Sequence, residues 1–166
     1  AIVRDEEKRA APALQRLRFN LSANQSVARE WPQVDVLPVG ISDSEGEFQL
    51  HLDAGNLGGS SLALTRPGRQ TVSIRCRPLL AVLNELDITR IDVLKIDIEG
   101  AEDRALIPFL NAAPESLLPR HIVIENSEHL WRQDLVAALR GKGYDVALDT
   151  RMNKIYRRRA PATTSA

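Results

Sequence analysis

Asp92-Val93-Leu94-Lys95-Ile96-Asp97-Ile98-Glu99-Gly100-Ala101-Glu102 is the stretch on which the reading of this chain turns. Residues 91–98 (IDVLKIDI) are aliphatic and β-branched enough for a buried strand, with Val93, Leu94, Ile96 and Ile98 inside and Lys95 interrupting the run. Asp97 stands at the strand's end. Gly100 lets the backbone turn sharply into a helix expected over 100–110, which Pro108 should kink or split. Strand, glycine turn and helix form part of a βα unit, and open sheets built from such units bind ligands beyond the carboxyl ends of their strands. Asp97, Glu99 and Glu102 are therefore expected to converge where chemistry can sit. Three close carboxylates repel one another and raise the pKa of at least one, unless Lys95 or a bound cation relieves them. Acidic residues at the start of a helix are also explained by capping alone. Lys95 inside an apolar run favours the functional reading.

The same alternation of strands and helices continues in both directions. Downstream, residues 121–125 read as a strand ending in Glu125-Asn126-Ser127. Glu125 and Asn126 can meet a ligand, or Asn126 and Ser127 can cap a helix running to Arg140, with Leu130, Leu135 and Leu139 inside and Gly141 and Gly143 as its stop. Residues 145–148 and 154–158 read as a closing hairpin. Upstream, residues 79–86 suit a short helix, and residues 71–76 and 47–52 alternate as half-exposed strands. Residues 34–41 suit an edge strand, because Pro38 cannot donate to a ladder. Ser42-Asp43 follows it. Asp43 can accept from a ligand amine or serve as an ordinary turn residue before Ser44-Glu45-Gly46. The Gly/Ser loop at 53–69 includes Ser60 and Ser61 and lacks the lysine and spacing of a P-loop. Residues 5–24 read as a helix with Asp5, Glu6 and Glu7 at its positive end, after a short apolar run at Ala1-Ile2-Val3. The expected fold is α/β: an open, mostly parallel sheet with helices on both faces and an antiparallel hairpin at one edge.

Composition narrows the function classes. The 166 residues suit one domain over 1–159 and a small, polar tail at 160–166 that is expected to be disordered. Lys and Arg together number 22, as do Asp and Glu, and this balance argues against a nucleic-acid partner. The single cysteine, Cys76, excludes an internal disulfide and is expected to be a buried structural thiol. His51, His121 and His129 show no metal-ligand spacing, so no metal site is expected. No apolar run reaches the roughly 20 residues of a membrane helix, and residues 1–20 do not read as a signal peptide, so a cytoplasmic location is expected.

Residues 92–102 resemble the signature segment of FkbM-type methyltransferases. Leu17 with Asn20 and Asn24, residues 39–46, residues 56–62 and residues 122–125 resemble further segments of that family and fall in the same order. The resemblance implies a Rossmann-like, class I methyltransferase that uses S-adenosylmethionine to methylate a hydroxyl of a small-molecule acceptor, such as a sugar or other secondary metabolite. It implies cofactor contacts from Ser42 and Asp43, with Asp43 near the adenine. It also puts Asp97 near the transferred methyl or the acceptor; with the strand-end readings above, Asp97, Glu99 and Lys95 are the catalytic candidates and Glu125, Asn126, Glu102, Ser60 and Ser61 the acceptor-binding ones.

Two departures qualify the resemblance. The family's glycine-rich loop, and the first strand that carries it, would precede Ile2. In this fold that strand lies between those at Ile2 and Ile91. Either the chain is an N-terminal excerpt, or those two strands pair directly, or another segment fills the gap. Arg4-Asp5-Glu6 stands where the family has Glu-Pro, which makes Asp5 and Glu6 the candidates for the ribose hydroxyls. The alternative is a non-catalytic Rossmann-like remnant acting as a binding module. A metal-dependent hydrolase using Asp97, Glu99 and Glu102 is disfavoured, because no histidine joins the carboxylates.

Overall fold

The computed structural model describes residues 35–52, 60–62 and 70–159. Strands β1 (Gly40–Ser42), β2 (Gly46–His51) and β3 (Thr71–Pro78) form one sheet in the order β1-β3-β2. Helix α1 (Leu79–Glu85) follows directly. Strands β4 (Val93–Ile96), β5 (His121–Glu125), β6 (Tyr144–Asp149) and β7 (Asn153–Arg158) form a second sheet in the order β4-β5-β7-β6. Helix α2 (Glu102–Ala112) links β4 to β5, and α3 (Leu135–Gly141) precedes β6.

The class is α/β as expected, but the described sheets are mixed rather than mostly parallel. β1 runs parallel to β3 and β4 to β5, while β2–β3, β5–β7 and β6–β7 are antiparallel. The closing hairpin is present, with β7 inserted between β5 and β6. The expectations for residues 1–34, for most of the 53–69 loop and for the tail, including Asp5 and Glu6, lie outside the described residues.

The core shows why the second sheet forms. Ile122 and Ile124 share one face of β5 and meet Tyr156 of β7, Leu106 and Leu110 of α2, and Leu135 and Leu139 of α3. Each of these side chains is at most 1% exposed, and burying one such side chain stabilises the fold by about 1.5–3 kcal/mol. The Tyr144 hydroxyl is equally buried and donates to the Pro119 carbonyl at 2.6 Å, which satisfies its one polar group.

Several local expectations change. Residues 91–98 shorten to four strand residues, and the run is not wholly buried. Strand geometry sends alternate side chains to opposite faces. Ile96 is buried and Leu94 half-buried, whereas Val93 is 60% exposed and shares its open face with Lys95. Lys95 thus follows the strand's period and does not interrupt a core. Residues 35–39 form no strand, and only Gly40–Ser42 pairs; Pro38 lies just outside it. A Cβ on Gly40 would come within 2.6 Å of the Cys76 Sγ, so the parallel β1–β3 pair closes over a buried thiol. α2 continues through Pro108 without splitting.

Ser127 does not cap a helix to Arg140. A single 3-10 turn (Glu128–Leu130) follows it, and α3 is capped instead by Asp134, whose carboxylate accepts from the Ala137 N–H at 2.8 Å. The Ser127 hydroxyl is engaged elsewhere.

Candidate functional site

The parallel pair β4–β5 ends with Lys95 opposite Val123 and Ile96 opposite Ile124. Beyond that end the chain makes a strained turn. Glu99 has φ 54° and Gly100 has φ 90°, two successive left-handed residues. Glycine accepts this conformation freely, but a glutamate does not, and such strain collects at functional sites. A Cβ on Gly100 would meet Leu130 Cδ1 at 2.6 Å and Leu130 Cβ at 2.7 Å, so glycine is required for space as well as for φ.

Glu102 and Asp103 hold this turn from below. The Glu102 side chain is buried and accepts four donors. Oε1 takes the backbone N–H groups of Ile98 (3.0 Å) and Gly100 (3.3 Å), and Oε2 takes Ser127 Oγ (2.8 Å) and Trp131 Nε1 (2.9 Å). Asp103, also buried, accepts the N–H groups of Arg132 and Gln133 at 2.9 and 3.0 Å. Together they pin the segment after β5 to the first turn of α2. The Ser61 hydroxyl donates to the Glu99 carbonyl at 2.6 Å, which brings the loop between β2 and β3 to the same turn.

Above it, Asp97, Glu99 and Glu125 each offer a carboxylate oxygen, and these oxygens lie within 4.8 Å of one another. Asp97 is exposed and receives the Lys95 ammonium at 2.5 Å. Burial first, then the charges of Glu125, Asp97 and Glu102, raises the Glu99 pKa above its usual value. Burial likewise raises that of Glu125, helped by the Asp97 and Glu102 charges and by a hydrogen bond with Asp97. A raised value was expected here, but in a set of different composition: Glu125 joins Asp97 and Glu99, while the Glu102 oxygens are taken up inside the fold.

At the end of β5, Glu125 Oε2 and Asn126 Oδ1 are buried without a hydrogen-bond partner among the described residues. The other end of the Asn126 amide donates to the Thr150 carbonyl at 2.7 Å, anchoring the β6–β7 turn. Glu125 Oε2 and Asn126 Oδ1 are two buried polar atoms, on adjacent residues, whose hydrogen-bonding capacity the described residues leave open.

The third group follows β1. Asp43 forms a bidentate pair with Arg104 of α2: Nε donates to Oδ2 and Nη2 to Oδ1, both at 3.1 Å. The Ser44 and Ser42 hydroxyls also donate to Oδ1, at 3.1 and 3.3 Å. The Arg104 guanidinium holds the Asp43 carboxyl below the usual aspartate range. It also lies over the Phe48 ring, 5.7 Å from its centroid. Asp43 is thereby tied to the helix that the Asp97–Glu102 turn enters. Ser42 is itself buried.

Sequence reasoning missed Arg104, Asp103 and Trp131. A cation in the first turn of a helix opposes the macrodipole and was a legible sign that Arg104 serves a specific partner. Trp131, four residues after Ser127, carries an indole N–H that must find an acceptor when partly buried. No local signal marks Asp103.

Among the described residues, no helix is long and apolar enough to cross a membrane. The family model described as the methyltransferase FkbM domain matches residues 3–147. No curated protein and no solved structure matches the chain.

Proposed function

The chain belongs to the FkbM methyltransferase family, and from that premise we propose that it transfers a methyl group from S-adenosylmethionine to a hydroxyl of a small, polyhydroxylated acceptor such as a sugar. One observation carries the acceptor assignment: among the described residues, Glu125 Oε2, in the Asp97–Glu99–Glu125 cluster, and Asn126 Oδ1, on the next residue, are buried polar atoms without a hydrogen-bond partner. An unmet buried acceptor costs about 1–3 kcal/mol, and ligand hydroxyls are the donors that would relieve it.

The residues divide the work by their environments. Asp97 is exposed and charge-balanced by Lys95, which suits it to accept the proton of the reacting hydroxyl. The raised pKa values of Glu99 and Glu125 limit the repulsion among the three groups, and Glu125 hydrogen-bonds Asp97. Glu102 keeps the turn in place from beneath. Ser60 and Ser61 belong to the loop that Ser61 ties to Glu99, which supports a part in choosing the acceptor. Orientation of the acceptor oxygen supplies much of the rate in such a displacement.

S-adenosylmethionine would supply an electrophilic methyl group on its sulfonium. The chemistry of Asp43 fits the nucleotide end of that cofactor: it is an ionised, partly exposed acceptor at the carboxyl end of a parallel strand. Ser42 supports Asp43 through its hydroxyl. Asp5 and Glu6 stay assigned to the ribose hydroxyls on the resemblance alone.

The test is isothermal titration with S-adenosylhomocysteine, followed by methyl transfer from labelled S-adenosylmethionine to a panel of glycosides. Saturable binding and labelled product support the reading. A chain that melts cooperatively but binds nothing would overturn it in favour of a Rossmann-like binding module.

A further inference from the structure

The Asp43–Arg104 pair joins the turn after β1 to α2 through two hydrogen bonds, and neither the signature segment nor the carboxylate cluster uses it. Its donor count is uneven. Among the described residues, Oδ1 of Asp43 receives Arg104 Nη2, Ser42 Oγ and Ser44 Oγ, whereas Oδ2 receives Arg104 Nε alone. A carboxylate oxygen accepts about two hydrogen bonds comfortably, so Oδ1 is saturated and Oδ2 keeps one open position.

The rotation of the carboxylate is also fixed. A guanidinium fork binds both oxygens in one plane, which a single-point cation cannot do. Arg104 is itself held by the Phe48 ring and is 22% exposed in its side chain. The result is an acceptor of fixed orientation, just beyond the carboxyl end of β1.

We propose that Arg104 is the positioning residue for base specificity: its fork turns Asp43 so that Oδ2 faces the 6-amino group of the adenine and rejects a 6-oxo purine. This rests on the proposal that Asp43 meets the cofactor's nucleotide. Rejection follows from acceptor-only chemistry. An ionised carboxylate can take a hydrogen from an amino group, but it opposes a carbonyl oxygen with no hydrogen between them. Arg104 aims the carboxylate, and its charge further favours the ionised form.

The experiment is a titration of the full chain with two probes, S-adenosylhomocysteine and S-inosylhomocysteine, which differ at purine position 6. It is run on the unaltered chain and on the Arg104→Gln and Arg104→Lys variants, each checked for a cooperative melt. The unaltered chain should prefer the adenosyl probe by about tenfold or more, the value of one well-placed hydrogen bond. Both variants should compress that preference to within about threefold, because neither carries the fork. Arg104→Lys retains the charge and decides the matter should Arg104→Gln not fold. A preference left intact in Arg104→Lys overturns the positioning role while leaving the methyltransferase reading untouched. Equal binding of both probes by the unaltered chain does the same. An unaltered chain that binds neither probe overturns the methyltransferase reading, and this inference with it. A merely structural Arg104 would lower both affinities together and leave their ratio unchanged.

Discussion

Replacing Glu102 by glutamine keeps the side chain's volume and exchanges one acceptor oxygen for an amino group. Two orientations are available. With the amino group toward Ile98 and Gly100, two backbone N–H groups face a donor. With it toward Ser127 and Trp131, the Ser127 hydroxyl can reverse and accept, but the indole N–H cannot. The second orientation is cheaper: it sacrifices the Trp131 bond to residue 102, and the indole N–H keeps only its longer contact with Ser127 Oγ at 3.2 Å. A hydrogen bond to a charged group contributes about 1.5–3 kcal/mol, against about 0.5–1.5 for a neutral one. The loss of one and the weakening of the others, offset by relief from burying a charge, gives about 2–4 kcal/mol of destabilisation. For a domain of this size that is a fall of about 5–15 °C in Tm. Urea unfolding followed by far-UV circular dichroism measures it. In a Trp131→Phe background the same substitution should cost about 1–2 kcal/mol less, because the opposing donor is gone. A change below about 0.5 kcal/mol, together with lost acceptor binding, would refute the latch and return Glu102 to the ligand.

Gly100→Ala should destabilise by about 2–5 kcal/mol, the sum of a left-handed penalty and a clash with Leu130, read by the same unfolding assay. Glu125→Gln should stabilise the fold at pH 7 and leave it unchanged near pH 4. The folded pKa of Glu125 lies above its unfolded value, so the folded state binds more protons between the two and stability falls as pH rises through that window. Thermal melts across pH 4–8 check the sign; a destabilised variant at pH 7 would refute it. Asp97→Asn should abolish methyl transfer while leaving the melt nearly unchanged, because its ion pair with Lys95 is exposed and worth about 0–1 kcal/mol. Retained transfer would remove Asp97 from the mechanism.

Elements with strong local signals were read closely from sequence. Residues 121–125 form β5 with the same ends, and the closing hairpin and the helix at 79–86 differ by at most one residue at each end. What local pattern does not carry is partnership. A run such as IDVLKIDI is consistent with burial on both faces or on one, and the choice depends on what packs over the strand. Ser127 matched a helix cap because the local sequence cannot show that a carboxylate 25 residues upstream takes its hydroxyl. For the same reason Glu102 grouped with Asp97 and Glu99 by proximity along the chain, and Glu125 stood apart until the β4–β5 register placed it beside them. Asp43 was legible as a polar strand end, but its pairing with a residue 61 positions away was not.

The insertion of β7 between β5 and β6 has a consequence for synthesis. Translation delivers β5, then β6, then β7, yet β6 has no ladder partner among the described strands until β7 exists. During that interval the nascent chain presents two open strand edges, at β5 and β6, both rich in aliphatic side chains, with Val146 and Leu148 uncovered even in the finished fold. Open edges of this kind recruit other chains. The bulge between Val146 and Leu148 breaks the regular repeat along β6, so this uncovered strand is also a poor template for a foreign one.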